Sequence, residues 1–163
     1  MDTFEIDQTL RNDPYAKGFY GGTFAIDQFP NPIPPGKLYI CNLDDSTQAG
    51  SHWCQVSSLE APFAVTYFDS FGRPPPNQLV LSLLSGAEII RFSDILLQSP
   101  VSQACGYHVL TVSLLQARGY SLVEILTKFY HAEDRDYLRN DAYARSIISS
   151  LTSLEDRPLI DWS

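Results

Sequence analysis

The 163-residue chain has little cysteine, little methionine and little positive charge: three Cys, one Met, and eleven Lys and Arg against nineteen Asp and Glu. Cysteines 41, 54 and 105 are an odd number without framework spacing, which excludes a disulfide scaffold and points to free thiols in a reducing compartment. A net charge of -8 with scattered positives excludes a basic nucleic-acid patch. Arg135, Arg139 and Arg145 are interleaved with Asp134, Asp136 and Asp141. No apolar run approaches the roughly 18 residues that cross a bilayer, and MDTFEIDQTL lacks the basic-then-apolar pattern of a secretory leader. The expectation is an intracellular, unsecreted protein with no membrane contact. Repeats and low-complexity tails are absent too. What remains, 44% hydrophobic and 18% charged, suits a single domain over 1–163 with a core of its own.

Residues 2–11 space Phe4, Ile6 and Leu10 for a short helix that ends before Asp13-Pro14. FYGGTFAIDQFPNPIPPGK, 19–37, with its Gly pair and four prolines, predicts an irregular loop. LYICNL (38–43), HWCQVSSL (52–59) and FAVTYFDSF (63–71) predict three consecutive antiparallel strands. NQLVLSLLS (77–85) reads as a helix and AEIIRFS (87–93) as one more strand. From Cys105 the period becomes helical: to Gly119, from Ser121 through SLVEILTKFYHA, and from about Asp134 to Ser150. The class is α+β, a small, mostly antiparallel sheet with helices packed against it.

SPVSQACGYHVL, 99–110, sets Cys105 at the mouth of a helix. The unpaired N–H groups there carry about half a positive charge, which favours thiolate over thiol. A buried cysteine acting as a small hydrophobe fits the same segment. Thiol chemistry also needs a base, a group that orients the base, and donors for an oxyanion. Of three histidines, His131 ends a helix in polar surroundings, and His108 lies one turn beyond Cys105, fixed along the helix side. His52 opens a strand directly after QAGS, where it projects towards a cleft. Asp69 ends the next strand, so pairing of the two strands brings a carboxylate to the imidazole; an Asx-turn before Gly72 and Pro74 is an equal reading of that residue.

His52-Trp53, then Tyr-Phe-Asp-Ser-Phe-Gly at 67–72, then Gln98-Ser-Pro-Val-Ser-Gln-Ala-Cys105-Gly, resembles the adenovirus-protease (adenain) family of cysteine proteases, in the group that includes the SUMO-specific proteases. GFYGGTFAIDQFP is similar to the segment that precedes the family's histidine, so the resemblance covers roughly residues 15 to 110 and leaves the C-terminal helices unmatched. It implies the papain-like, inverted-order fold of adenain. Cys105 would be the nucleophile, His52 the general base and then acid, and Asp69 its orienter. Gln98 would supply the oxyanion hole, with Gln103 as a competitor whose spacing fits less well. Trp53 and Gly106 would border the substrate, Trp53 packing beside the triad without taking part in chemistry. The activity implied is endopeptidase cleavage after glycine, at Gly-Gly or Gly-X-Gly sites, in the maturation of capsid precursors. The setting implied is the host nucleus or cytoplasm and the virion of a small DNA virus, or a Maverick/Polinton-type element.

Two departures limit the analogy. The segment from Gly72 to Gln98 has no cysteine, which excludes a disulfide-tethered activating peptide at the family's position. The chain is also acidic where adenain is basic, so DNA is not expected to activate it. Any activation comes from a peptide held by non-covalent contacts, or is unnecessary, and no other cofactor is implied. An isopeptidase acting on a ubiquitin-like modifier would use the same residues. A binding module, or a metal site of Cys41, Cys54 and His52, is the remaining alternative, weakened by the lack of paired CxxC spacing.

Overall fold

A computed structural model describes residues 1–44, 46–47, 52–129 and 137–153. Helix α1 (Thr3–Asn12) begins at a reciprocal cap: the Asp2 side chain accepts from Glu5 N–H, and the Glu5 side chain accepts from Asp2 N–H. Ile6 and Leu10 of α1 are its buried face.

The five strands are β1 (Tyr20–Ala25), β2 (Leu38–Asn42), β3 (Trp53–Ala61), β4 (Ala64–Phe68) and β5 (Ile89–Phe92), lying in chain order across one sheet. Strands β2, β3 and β4 form the antiparallel centre that the sequence predicts, and β1 and β5 flank it as parallel partners of β2 and β4. Helix α2 (Asn77–Gly86) precedes β5, and α3 (Cys105–Ala117), α4 (Leu122–Leu126) and α5 (Tyr137–Ser153) follow it.

Two expectations need correction. The 19–37 segment is not wholly irregular, because Tyr20–Ala25 is a strand. Glycine there serves packing: a Cβ at Gly21 would lie 2.1 Å from the Tyr39 ring, so glycine lets that ring of β2 close over β1. The helix expected from Ser121 onward is only Leu122–Leu126 among the described residues, and turn backbone follows at 127–128. His131, Asp134, Arg135 and Asp136 lie outside the described residues.

Strand alternation divides the core between the two faces of the sheet. Leu38, Ile40, Trp53 and Phe68 pack with α1, α3, α4 and α5. Tyr39, Cys41, Cys54, Val56, Val65 and Tyr67 pack with Phe29, Ile33 and the Leu79 and Leu83 face of α2. Helix α3 is buried on nearly every side, as its all-round apolar sequence requires. Its first residue, Cys105, therefore enters the core at one end of the sheet. The strand β5 is the opposite case: it is one of the sheet's two edges, and Ile89, Arg91 and Phe92 are exposed. No helix among the described residues is long and apolar enough to cross a membrane.

Candidate active site

Register explains why one end of β3 and β4 gathers reactive groups. Gln55 faces Phe68 across the antiparallel pair, so continuing that ladder sets Cys54 opposite Asp69 and His52 opposite Phe71. All four side chains then share one face, and His52 and Asp69 are diagonal neighbours. The contacts agree: His52 Nε2 stands 2.8 Å from Asp69 Oδ1, and the His52 ring stacks on Phe71 with centroids 4.8 Å apart. Phe71 N–H donates to the same Asp69 Oδ1 at 2.8 Å, fixing the carboxylate. The turn closes through Gly72 N–H to the Asp69 carbonyl at 2.8 Å. Gly72 has φ +70°, and a Cβ there would meet the Ile95 carbonyl carbon at 2.7 Å.

Cys105 arrives from the other side, at the start of α3. Ala104, the capping position, makes no side-chain cap bond, and the first turn holds no acidic residue, so the helix itself places no negative charge beside the sulfur. Burial pushes the thiol up, but a hydrogen bond from His52, the Trp53 N–H, the imidazole's charge and the Gly106 N–H outweigh it and hold Cys105 below its ordinary 9.0. Burial pushes His52 down, yet its hydrogen bonds to Asp69 and Cys105 and their negative charges lift it from 6.5 to about 9. With Nε2 committed to Asp69, Nδ1 is the nitrogen left for the sulfur. Each group thus favours the charged form of the other, in a setting where Cys105 is only 7% exposed.

Gln98 is 1% exposed and gripped at both ends. Its Oε1 accepts from Ser70 Oγ at 2.6 Å, and its Nε2 donates to the Ser102 carbonyl at 2.9 Å. The backbone N–H groups of Leu97 and Gln98 both donate to the Ser70 carbonyl, at 2.9 and 3.0 Å. The turn that carries Asp69 therefore also carries Gln98. The same Nε2 also reaches the Ser102 hydroxyl at 3.4 Å, so Ser102 holds the amide by two contacts. Gln103, by contrast, is exposed.

Trp53 is buried in the helical-side core, and its backbone N–H, not its indole, touches the sulfur. Gly106 faces Met1, which precedes α1: a Cβ there would come 2.8 Å from Met1 Sδ. Cys54 joins His52 and Asp69 in a group whose ligand atoms lie within 4.8 Å of one another. Burial foremost, then the Asp69 charge, pushes the Cys54 thiol well above its usual range, so it stays protonated. Cys41, paired with Cys54 across β2 and β3, is raised to about 12 by burial and is not in that group. The Cys41–Cys54–His52 metal alternative therefore lacks its assembled ligand set. Phe71 and Ser70 escaped the sequence reading although both stand in the run Tyr67–Gly72; the β3–β4 register is the signal that finds them.

No family model matches the chain, and no curated protein matches it in sequence. Solved structures do match. The Se-Met crystal structure of the ASFV pS273R protease superposes with a TM-score of 0.53 at 17% identity, over 86% of this chain and 66% of that one. A second crystal structure of that protease gives 0.53 at 15% identity, over 85% and 65%. The chain spans about two thirds of the length of those proteases, and it shares the fold of a viral cysteine protease.

Proposed function

We propose that the chain is a cysteine endopeptidase that attacks peptide carbonyls with Cys105. The observation that carries this reading is the pairing of a lowered thiol with a raised imidazole at an uncapped helix start. His52 gives its proton to the leaving amine and then takes one from water, and Asp69 keeps its ring in register. The developing oxyanion is received by the Gln98 amide and the Cys105 backbone N–H, donors fixed before substrate arrives.

Three finer statements belong to the same proposal. Cleavage follows glycine, as the resemblance to adenain-type proteases implies. The substrates are capsid precursor polypeptides, processed in the infected cell's nucleus or cytoplasm and in the virion. Activation needs no disulfide and no nucleic acid; any activating peptide binds by contacts alone.

The test combines a glycine vinyl sulfone with a fluorogenic Gly-Gly peptide. Labelling at Cys105, turnover abolished in Cys105→Ala, and a sharp loss when alanine replaces the glycine before the scissile bond are the expected results. Turnover surviving in Cys105→Ala would end the nucleophile assignment. Equal cleavage after alanine and glycine would end the proposed specificity.

A further inference from the structure

One helical turn past Cys105 stands a second histidine–aspartate pair. His108 is fully buried, its Nε2 lies 2.8 Å from Asp141 Oδ1, and its ring stacks on Phe129 at 5.5 Å. Shielded from solvent, it is closed to substrate, so its role lies in what Asp141 touches.

Asp141 belongs to α5, which packs against α3. Its Oδ1 also accepts from Ser99 N–H at 3.4 Å, and the Ser102 hydroxyl donates to the Ser99 carbonyl at 3.2 Å. The preceding residue, Asn140, donates Nδ2 to the Leu97 carbonyl at 3.1 Å. Residues 97, 99 and 102 bracket Gln98. Ser102 also accepts Gln98 Nε2 on its carbonyl. A buried carboxylate is costly unless hydrogen-bonded, and the bonds that Oδ1 accepts come from His108 and from Ser99 of this irregular segment.

Resting on the protease reading above, we infer that Asp141, oriented by His108, and Asn140 are positioning residues that set the Gln98 amide at the oxyanion site. Strand pairing does not hold the 97–104 segment; Ser70 grips it from one side and α5 from the other. An oxyanion donor works only at its fixed place, and a displacement of about 1 Å costs on the order of a hundredfold. Because that contact is made in the transition state, its loss appears in kcat and not in KM.

The experiment compares steady-state turnover of the Gly-Gly peptide with iodoacetamide alkylation of Cys105, a reaction that needs no oxyanion hole. Asp141→Ala should lower kcat by about tenfold or more while KM and the alkylation rate stay within about twofold of wild type. Asp141→Asn keeps an acceptor oxygen for Ser99 and His108 and should recover most of the loss. Combined with Gln98→Ala, Asp141→Ala should add little, because both act on one donor. If Asp141→Ala does not fold, Asn140→Leu, which removes the Leu97 contact, should show the same split between turnover and alkylation. A folded Asp141→Ala with wild-type kcat, a loss that adds fully to that of Gln98→Ala, or an equal drop in alkylation would overturn the inference. A wild-type chain that cleaves no peptide would instead remove the protease reading and this inference with it.

Discussion

Replacing His52 with alanine takes away two of the four influences that hold the Cys105 thiol below 9.0, the imidazole's hydrogen bond and its charge. What remains are two backbone N–H groups working against burial. The size of the effect can be bounded from the partner. His52 is lifted from 6.5 to about 9, and with each pKa unit worth about 1.4 kcal/mol, its charged form is favoured by about 3 kcal/mol. Asp69 and Cys105 together supply that stabilisation against burial, and by linkage whatever Cys105 supplies favours its own thiolate equally. Losing it raises Cys105, because burial, the largest influence on the thiol, then works against two backbone N–H groups alone. At neutral pH the alkylation rate should then fall by about tenfold or more. Turnover should fall further, because the general acid for the leaving amine is gone as well.

The assay is iodoacetamide alkylation of Cys105 followed by mass spectrometry from about pH 5 to about pH 10. In the wild-type chain, turnover should rise with pH as Cys105 loses its proton below the ordinary thiol range. It should be lost again as pH rises through about 9, where His52 gives up the proton the leaving amine needs. An alkylation midpoint that does not move in His52→Ala would refute the pairing of imidazole and sulfur. A wild-type midpoint at or above that of a free thiol would show that burial wins.

Gln98→Ala should raise the barrier by about 3 kcal/mol, a hundredfold or more in kcat, while Gln103→Ala, at an exposed side chain, should change it little; the reverse ranking on one peptide would overturn the oxyanion assignment. Gly72→Ala forces a side chain into positive φ and against the Ile95 backbone, and should cost about 2 kcal/mol or more in urea unfolding. An unchanged midpoint would remove the steric argument. Duplex DNA at low salt should leave turnover within about twofold, since phosphate binding rests on clustered cations and the net charge is -8; a large stimulation that fades as salt rises would contradict this. Asp141, counted in the sequence as an offset to neighbouring arginines, in fact points inward to His108, so the DNA prediction rests on total charge alone.

The legible parts of the molecule are those whose pattern is local. The runs 38–43, 52–59 and 63–71 announce themselves by β-branched and aromatic alternation, and a turn-length connection forces β3 and β4 to pair. That pairing alone carries His52 to Asp69. Tyr20–Ala25 was hidden because its reason for being a strand is the Tyr39 ring lying over Gly21, a tertiary fact that overrides the breaker signal of two glycines. The segment after Ser121 has helical spacing and a reciprocal cap with Glu124, but the cap fixes only where a helix starts. At the site, the residue types around Cys105 were readable, whereas the grip of Ser70 on Gln98 and of Asp141 on Ser99 joins residues 28 and 42 positions apart. No spacing rule reaches that far.

The exposed edge strand has a consequence for how the protein behaves in bulk. Ile89 and Phe92 lie on a strand with no further strand beside it among the described residues, and Arg91 is the one charged side chain set between them. Four residues are too few to pair durably by themselves, and mutual repulsion between like-charged copies keeps encounters short. That protection is a function of acidity. Near pH 4.6, where the chain's charge balances, repulsion vanishes and edge meets edge, so the protein should precipitate reversibly there and redissolve on either side. Exchanging Ile89 for lysine would keep it clear through that range, and turbidity against pH would separate a sheet-edge association from general insolubility.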